Sequence, residues 1–141
     1  MYQRVMAGFD GSEASRRALA AALRLAKDQS ADLVVTYVQE HLPRYPGDPG
    51  EVAEEHETSE RHSLELRREV ESLAKEAGVE ARLRVVKGNA PRLLCDVAAE
   101  ERADLVVIGH KGRSGLWGGL LGGTADKVVD HAPCSVLVVR G

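Results

Sequence analysis

The chain has 141 residues, of which 43% are apolar and 29% charged, a composition that is ordinary for a globular protein with a conventional core. A net charge of -3 and an aromatic content of 4% argue against a basic or stacking surface for nucleic acid. The N-terminal residues form no signal segment, and no apolar run is long enough to cross a bilayer. We therefore expect a single cytoplasmic domain over residues 1–141, with no membrane partner.

Short apolar runs alternate with longer helical patterns along the whole chain. Apolar residues recur every three or four positions, as at Leu66, Val70 and Leu73, which indicates helices with one buried face. Gly78 ends the longest of these helices, and a proline-rich stretch from residue 39 to about 49 is predicted as a loop. Strands are predicted over residues 4–8, 32–38, 80–86, 105–108 and 135–139, and helices over 12–29, 51–77, 91–101 and 124–131.

Five strands that alternate with four helices predict an α/β fold, with a parallel sheet and helices on both of its faces. In such a sheet, ligands bind outside the carboxyl ends of the strands, where the strand order reverses. Two segments are expected to flank that crevice. One is the tip at residues 9–12, which contains Phe9 and Asp10, and the other is the glycine-rich segment after the fourth strand.

The glycine-rich segment, residues 109–124, reads GHKGRSGLWGGLLGGT and leads into the fourth predicted helix. Glycine lets backbone N–H groups approach an anion closely, and a helix N-terminus adds a partial positive charge. The pattern therefore favours a phosphate-binding loop, in which Lys111 or Arg113 could neutralise phosphate charge. The alternative interpretation is a surface loop without a ligand, where exposed cations would be ordinary.

Two common nucleotide-binding motifs do not match this segment. Gly118 and Gly123 have the spacing of a Walker A loop, but no lysine stands between Gly123 and Thr124 to reach the β- and γ-phosphates. The dinucleotide fingerprint should follow the first strand, and residues 8–11 do not contain it. The sequence therefore indicates neither ordinary phosphotransferase nor dehydrogenase chemistry, and we predict no catalytic residue.

Segments along essentially the whole chain resemble the universal stress protein family. An opening strand followed by Asp-Gly-Ser stands at residues 5–12, and Tyr-Val at 37–38 is similar to the family's end of strand two. The family's Ala-Asp-Leu pattern before the loop stands at 103–109, and its typical ending at 131–139. Together these matches are specific, and the chain is identified as a member of this family.

The nucleotide-binding members of the family carry the pattern G-x2-G-x9-G followed by Ser or Thr. Gly109, Gly112 and Gly122 match this pattern. Gly123 stands where the hydroxyl residue should be, and Thr124 comes one place later. One lost hydrogen bond to a phosphate weakens ATP binding by roughly one order of magnitude, and by less where Thr124 substitutes for it.

The resemblance implies an adenine-nucleotide-hydrolase-like fold with strand order 3-2-1-4-5, and a ligand that is ATP or AMP, with Mg²⁺ accompanying the nucleotide. It assigns Asp10 and Val38 to the adenosine, and Ile108 and Gly109 to the base and ribose. Asp10 as only a cap or turn residue is the alternative. The residues expected to contact the nucleotide are Phe9, Asp10, Val38, Ile108, Gly109, Gly112, Arg113, Gly122, Gly123 and Thr124.

The last strand, at residues 135–139, is apolar and is expected at a sheet edge, where unpaired backbone groups can pair with a second chain. The resemblance implies a homodimer, in which this strand pairs with its symmetry mate through Val136, Leu137, Val138 and Val139. The favoured function is a dimeric, nucleotide-binding stress-response sensor with at most slow ATP hydrolysis, acting on an unknown protein partner. A nucleotide-free interaction module of the same family stays open, as does a nucleotide hydrolase or transferase.

Overall fold

The computed structural model describes residues 1–39, 49–110 and 123–140, and over 49–59 it describes only the helical backbone. Every predicted strand and helix is present. Strands β1 to β5 span Arg4–Gly8, Asp32–Gln39, Ala81–Lys87, Leu105–Gly109 and Ser135–Val139, and helices α1 to α4 span Glu13–Gln29, Pro49–Ala77, Ala90–Glu100 and Gly123–His131.

The boundaries differ from prediction by one or two residues. Gln39 is the last residue of β2 and Pro49 the first of α2, so both ends of the predicted proline-rich loop belong to regular elements. Proline is well suited to a first helical position, because the N–H that it lacks has no helical partner there. The rest of that predicted loop, residues 40–48, lies outside the described residues.

The five strands form one parallel sheet in the order β3-β2-β1-β4-β5, as predicted. The chain moves outward from β1 to β2 and β3, then crosses to the other side of β1 for β4 and β5. The strand order therefore reverses between β1 and β4. Crossover segments leave the carboxyl ends of these two strands in opposite directions, and the divergence opens a crevice at that edge.

Side chains alternate along the strands and pack into a core on each face of the sheet. One core joins the sheet to α1 and α2 through residues such as Ala7, Leu19 and Val70. The other joins it to α3 and α4 through residues such as Val97 and Val128. Helices thus cover both faces, which explains why β2 is buried along almost its entire length.

Two capping residues set where the helices beside the crevice begin. Ser12 caps α1, where its side chain accepts a hydrogen bond from the backbone N–H of Ser15. Asn89 caps α3 in the same way, accepting from the N–H of Arg92. Each cap satisfies a donor that the first helical turn leaves unpaired. Within the described ranges, no helix is both long and apolar enough to pass through a bilayer.

Asp104 connects the start of β1 to the start of β4, and its ionisation should make stability depend on pH. Its carboxylate accepts the backbone N–H groups of Gln3 and Arg4 at 2.8 and 3.0 Å. Partial burial acts to raise the pKa of Asp104, but these hydrogen bonds outweigh it and hold the pKa below its ordinary value. A lowered pKa in the folded state stabilises the protein above the unfolded-state pKa of about 4, and this contribution is lost as the pH falls.

We therefore expect Asp104→Asn to lower the melting temperature at pH 7, where the wild-type carboxylate is ionised. The difference between variant and wild type should shrink as the pH falls from 7 to 3, because the protonated aspartic acid resembles asparagine. Thermal unfolding followed by circular dichroism across this range measures the difference. A difference that stays constant with pH would show that the charge of Asp104 does not contribute.

Candidate functional site

A cleft of about 260 Å³ lies at the carboxyl ends of β1, β2 and β4, where the strand order reverses. The first turn of α1 and the starts of α3 and α4 complete its walls. The residues that line it are Gly8, Phe9, Asp10, Ser12, Ala14, Ser15, Thr36, Tyr37, Val38, Ala90, Leu94, Ile108, Gly109, Thr124 and Ala125. Residues from distant parts of the chain therefore meet at the position expected for a ligand in this kind of sheet.

Most of the predicted nucleotide contacts within the described residues meet at this cleft. Those that line it are Phe9, Asp10, Val38, Ile108, Gly109 and Thr124. Gly123 is the first residue of α4, adjacent in sequence to Thr124, but it is not among the residues that line the cleft. Gly112, Arg113 and Gly122 lie outside the described residues.

Asp10 takes part in a compact turn between β1 and α1. One of its carboxylate oxygens accepts the N–H of Ser12 at 2.9 Å, and its own N–H donates to the hydroxyl of Ser15 at 3.2 Å. The Ser15 hydroxyl in turn donates to the carbonyl oxygen of Ser12 at 2.9 Å. Asp10 is thus a turn residue, the alternative considered from the sequence, and it also lines the cleft. The turn orients its carboxyl group at the cleft wall.

Gly109, the last residue of β4, packs directly against the first turn of α1. A Cβ atom at this position would lie within 2.5 Å of the carbonyl carbon of Ala14 and 2.9 Å from its Cβ. No side chain fits that space without a shift of the backbone. The sequence singled out Gly109 for a phosphate-binding pattern, and the structure adds a packing reason for the same residue. This close approach joins β4 and α1 into one wall of the cleft.

The wall formed by β2, α3 and the end of β4 is apolar. Buried side chains of Val38, Ala90, Leu94 and Ile108 contribute to it. The sequence predicted the inward face of α3 as core, and it did not predict that the start of this helix also lines a cleft. Leu94 was missed for that reason, because a helical pattern of apolar residues looks the same in both cases. Ala90 was missed because the helix was predicted to begin at residue 91 and begins one residue earlier.

Tyr37 lines the cleft on the side that faces α2. Its ring meets that of His62 edge to face, with 6.1 Å between the ring centroids. Burial raises the pKa of the Tyr37 phenol, and the negative charge of Asp10 raises it further. Tyr37 is therefore a neutral phenol near pH 7. Its ring packs in the core that joins the sheet to α1 and α2, and it brings no charge to the cleft.

The N-terminus of α4 also borders the cleft, through Thr124 and Ala125. Thr124 is partly exposed there and Ala125 is buried. The first backbone N–H groups of a helix lack helical partners and carry a partial positive charge, which favours an anion. β4, which precedes this end, lies two strand spacings or about 10 Å from β2. The cleft thus combines an apolar wall with a helix N-terminus that favours an anion.

This chain is similar to known proteins over almost its full length. The family model described as the universal stress protein family matches residues 1–140. A universal stress protein of Methanocaldococcus jannaschii is 32% identical over 142 residues, which cover 99% of this chain and 83% of that protein.

Two solved structures share the fold over almost the full length of both chains. The universal stress protein UspA from Lactobacillus plantarum superposes with a TM-score of 0.84 at 25% identity, covering 99% of this chain and 98% of its own. A universal stress protein in complex with cAMP superposes with a TM-score of 0.75 at 29% identity, covering 98% and 97%. This chain belongs to the universal stress protein family.

Proposed function

We propose that this protein binds an adenine nucleotide, ATP or AMP, in the cleft between β1 and β4. In this proposal it acts as a dimeric sensor or regulatory module of the stress response, with at most slow ATP hydrolysis. The observation that supports it most is that residues predicted as nucleotide contacts line one cleft, which combines an apolar wall with a helix N-terminus. These residues are Phe9, Asp10, Val38, Ile108, Gly109 and Thr124. The similar protein solved in complex with cAMP adds support.

The adenosine would occupy the apolar part of the cleft, with Val38 and Ile108 against the base and Asp10 at the adenosine. A purine has apolar faces and polar edges, and such ligands bind where apolar walls carry a few well-placed polar groups. Burial of Val38 and Ile108 in the described structure makes this region suitable for a flat ring.

The phosphates would lie against the N-terminus of α4, near Gly123 and Thr124. Gly112, Arg113 and Gly122 belong to the same proposal, with backbone N–H groups and the Arg113 charge facing the phosphate oxygens. Mg²⁺ enters only as the companion of the ATP phosphates. In the described part of the chain, no group of three His, Cys, Asp or Glu side chains could hold a metal ion.

The proposed ligand can be identified directly from purified protein. We expect that denaturation of the protein releases an adenine nucleotide detectable by mass spectrometry, or that millimolar AMP or ATP raises the melting temperature of the nucleotide-free protein. Protein that carries no nucleotide and shows no thermal shift with either compound would contradict the proposal.

A nucleotide-free interaction module of the same family is the second candidate function. The feature that favours it is Gly123, which lacks the hydroxyl that the nucleotide-binding pattern has at this place. The thermal-shift experiment separates the two candidates, because only the first requires a nucleotide to bind.

The proposed dimer would form through β5, which lies at the edge of the sheet next to β4. Leu137, at the centre of β5, is 39% exposed, so this edge strand presents a large apolar side chain at the surface of the chain. We expect the wild-type protein to sediment as a dimer at micromolar concentration and Leu137→Lys to sediment as a monomer. Leu64→Lys is the matched control, because Leu64 is similarly exposed but lies on α2. A monomeric wild type, or a Leu137→Lys protein that stays dimeric, would contradict this interface.

A further inference from the structure

Thr36 combines complete burial with a hydroxyl that lacks a partner. It lies in β2 and lines the cleft, with none of its surface exposed. In the described structure its Oγ1 atom makes no hydrogen bond. Neighbours of the same strand, such as Val34, Val35 and Val38, are apolar residues of nearly the same shape. A buried hydroxyl without a partner is costly, whereas valine would fill the same space without that cost. The hydroxyl therefore needs a hydrogen-bond partner that the described fold does not supply.

The surroundings of Thr36 place it at the apolar wall of the cleft. Its register partner in β1 is Gly8, which has no side chain to fill the adjacent space. A Cβ atom on Gly8 would lie 3.2 Å from Cγ2 of Ile108 and 3.3 Å from Cδ2 of Leu94. The side chains that lie beside Gly8, the register partner of Thr36, are therefore aliphatic. Thr36, Leu94 and Ile108 all line the cleft, so the hydroxyl and these aliphatic side chains border the same space.

The position of β2 decides which part of a nucleotide meets this hydroxyl. β2 lies two strands away from β4, about 10 Å, and the N-terminus of α4 lies beyond the end of β4. Phosphates bound at α4 are too distant to contact Thr36, and an aliphatic wall would not solvate their charge. A nucleobase suits both the aliphatic wall and the unpaired hydroxyl, since its faces are apolar and its edge carries hydrogen-bond donors and acceptors.

We propose that the Thr36 hydroxyl hydrogen-bonds the edge of the nucleobase and is a specificity-determining residue of the cleft. A threonine hydroxyl can both donate and accept, so it can pair with a ring nitrogen or with an exocyclic amine. The proposal rests on the proposed function, because it requires that a nucleotide occupies the cleft. It explains why a buried hydroxyl stands beside the apolar side chains of Val34 and Val35 in β2.

The test compares wild type with Thr36→Val and Thr36→Ser by isothermal titration with AMP and with ATP. We expect Thr36→Val to weaken both ligands by the same factor, roughly three- to tenfold, because AMP and ATP share the base. Thr36→Ser keeps the hydroxyl and should bind within about twofold of wild type. Without ligand, Thr36→Val should melt about 2–5 °C higher, because an unpaired buried hydroxyl has been removed.

A fall in affinity together with a rise in ligand-free stability is not expected from a purely structural role. Equal affinity in wild type and Thr36→Val would overturn the inference, as would a Thr36→Val protein less stable than wild type, which would show a partner within the fold. A larger loss of affinity for ATP than for AMP would show that the substitution acts on the phosphates, and would also overturn the inference. If the wild type binds neither ligand, the proposed function fails instead, which is a distinct result.

Discussion

Replacing Gly109 with alanine should destabilise the protein by about 3 kcal/mol, the upper part of the range for overpacking, and lower its melting temperature by roughly 10 °C. The added Cβ would lie within 2.5 Å of the carbonyl carbon of Ala14. That neighbour is backbone in the first turn of α1, so it cannot move aside as the end of a flexible side chain would. Either β4 or α1 must shift, and both form walls of the cleft. We therefore also expect Gly109→Ala to abolish measurable nucleotide binding.

Gly123→Ala is the matched control for this change. Gly123 begins α4, and no described atom lies within 4 Å of a Cβ atom built on it. Alanine is favoured over glycine in a helix, so stability should be unchanged or slightly higher. Chemical denaturation of both variants measures the difference. Equal stability of Gly109→Ala and wild type would contradict the packing argument for the wall between β4 and α1.

The second large effect is expected for Thr124→Glu, which should weaken ATP binding by at least tenfold. Thr124 lines the cleft in the first turn of α4, where the phosphates are proposed to lie. A carboxylate about 4 Å from a phosphate charge is repelled by about 4 kcal/mol at an effective dielectric constant of 20, and solvent reduces this value. Glutamate near a helix N-terminus is favourable to folding, so stability should be retained. Titration calorimetry measures the affinity.

Thr124→Gln has the size of glutamate without its charge, and it should bind ATP much more tightly than Thr124→Glu. AMP should be less affected than ATP, since it carries fewer phosphates. In the opposite direction, Gly123→Ser should increase the affinity for ATP by about fivefold, because one added hydrogen bond contributes about 1 kcal/mol. Equal ATP affinity in Thr124→Glu and Thr124→Gln would show that the phosphates do not bind beside Thr124.

The fold was predictable because its signals are local and repeat along the chain. Apolar runs such as residues 32–38 and the helical pattern of Leu66, Val70 and Leu73 identify strands and helices, and their alternation predicts a parallel sheet. The loop boundaries were less predictable. Gln39 and Pro49 were predicted as loop residues but belong to regular elements. Hydrogen bonding to a neighbouring strand and a proline in the first helical turn leave only weak signals in the sequence.

The residues of the site were predictable only where they belong to a recognised sequence motif. Gly109 was singled out from a phosphate-binding pattern, but its contact with Ala14 follows from how β4 packs on α1, which no local pattern encodes. Thr36 was read as part of an apolar strand, because the lack of a partner for its hydroxyl is a property of the assembled core. Gly112, Arg113 and Gly122 stay predictions, since they lie outside the described residues.

We propose that the cleft between β1 and β4 binds an adenine nucleotide. Titration of ¹⁵N-labelled protein with AMP, followed by amide NMR, tests it most directly. We expect saturable shifts at the amides that line the cleft, which include Phe9, Asp10, Val38, Ile108, Gly109 and Thr124. Amides near the ion pair of Arg82 and Glu101, which lie at the other end of β3 and α3, should not shift. No shifts up to millimolar AMP, or shifts confined to surfaces away from the cleft, would contradict the account.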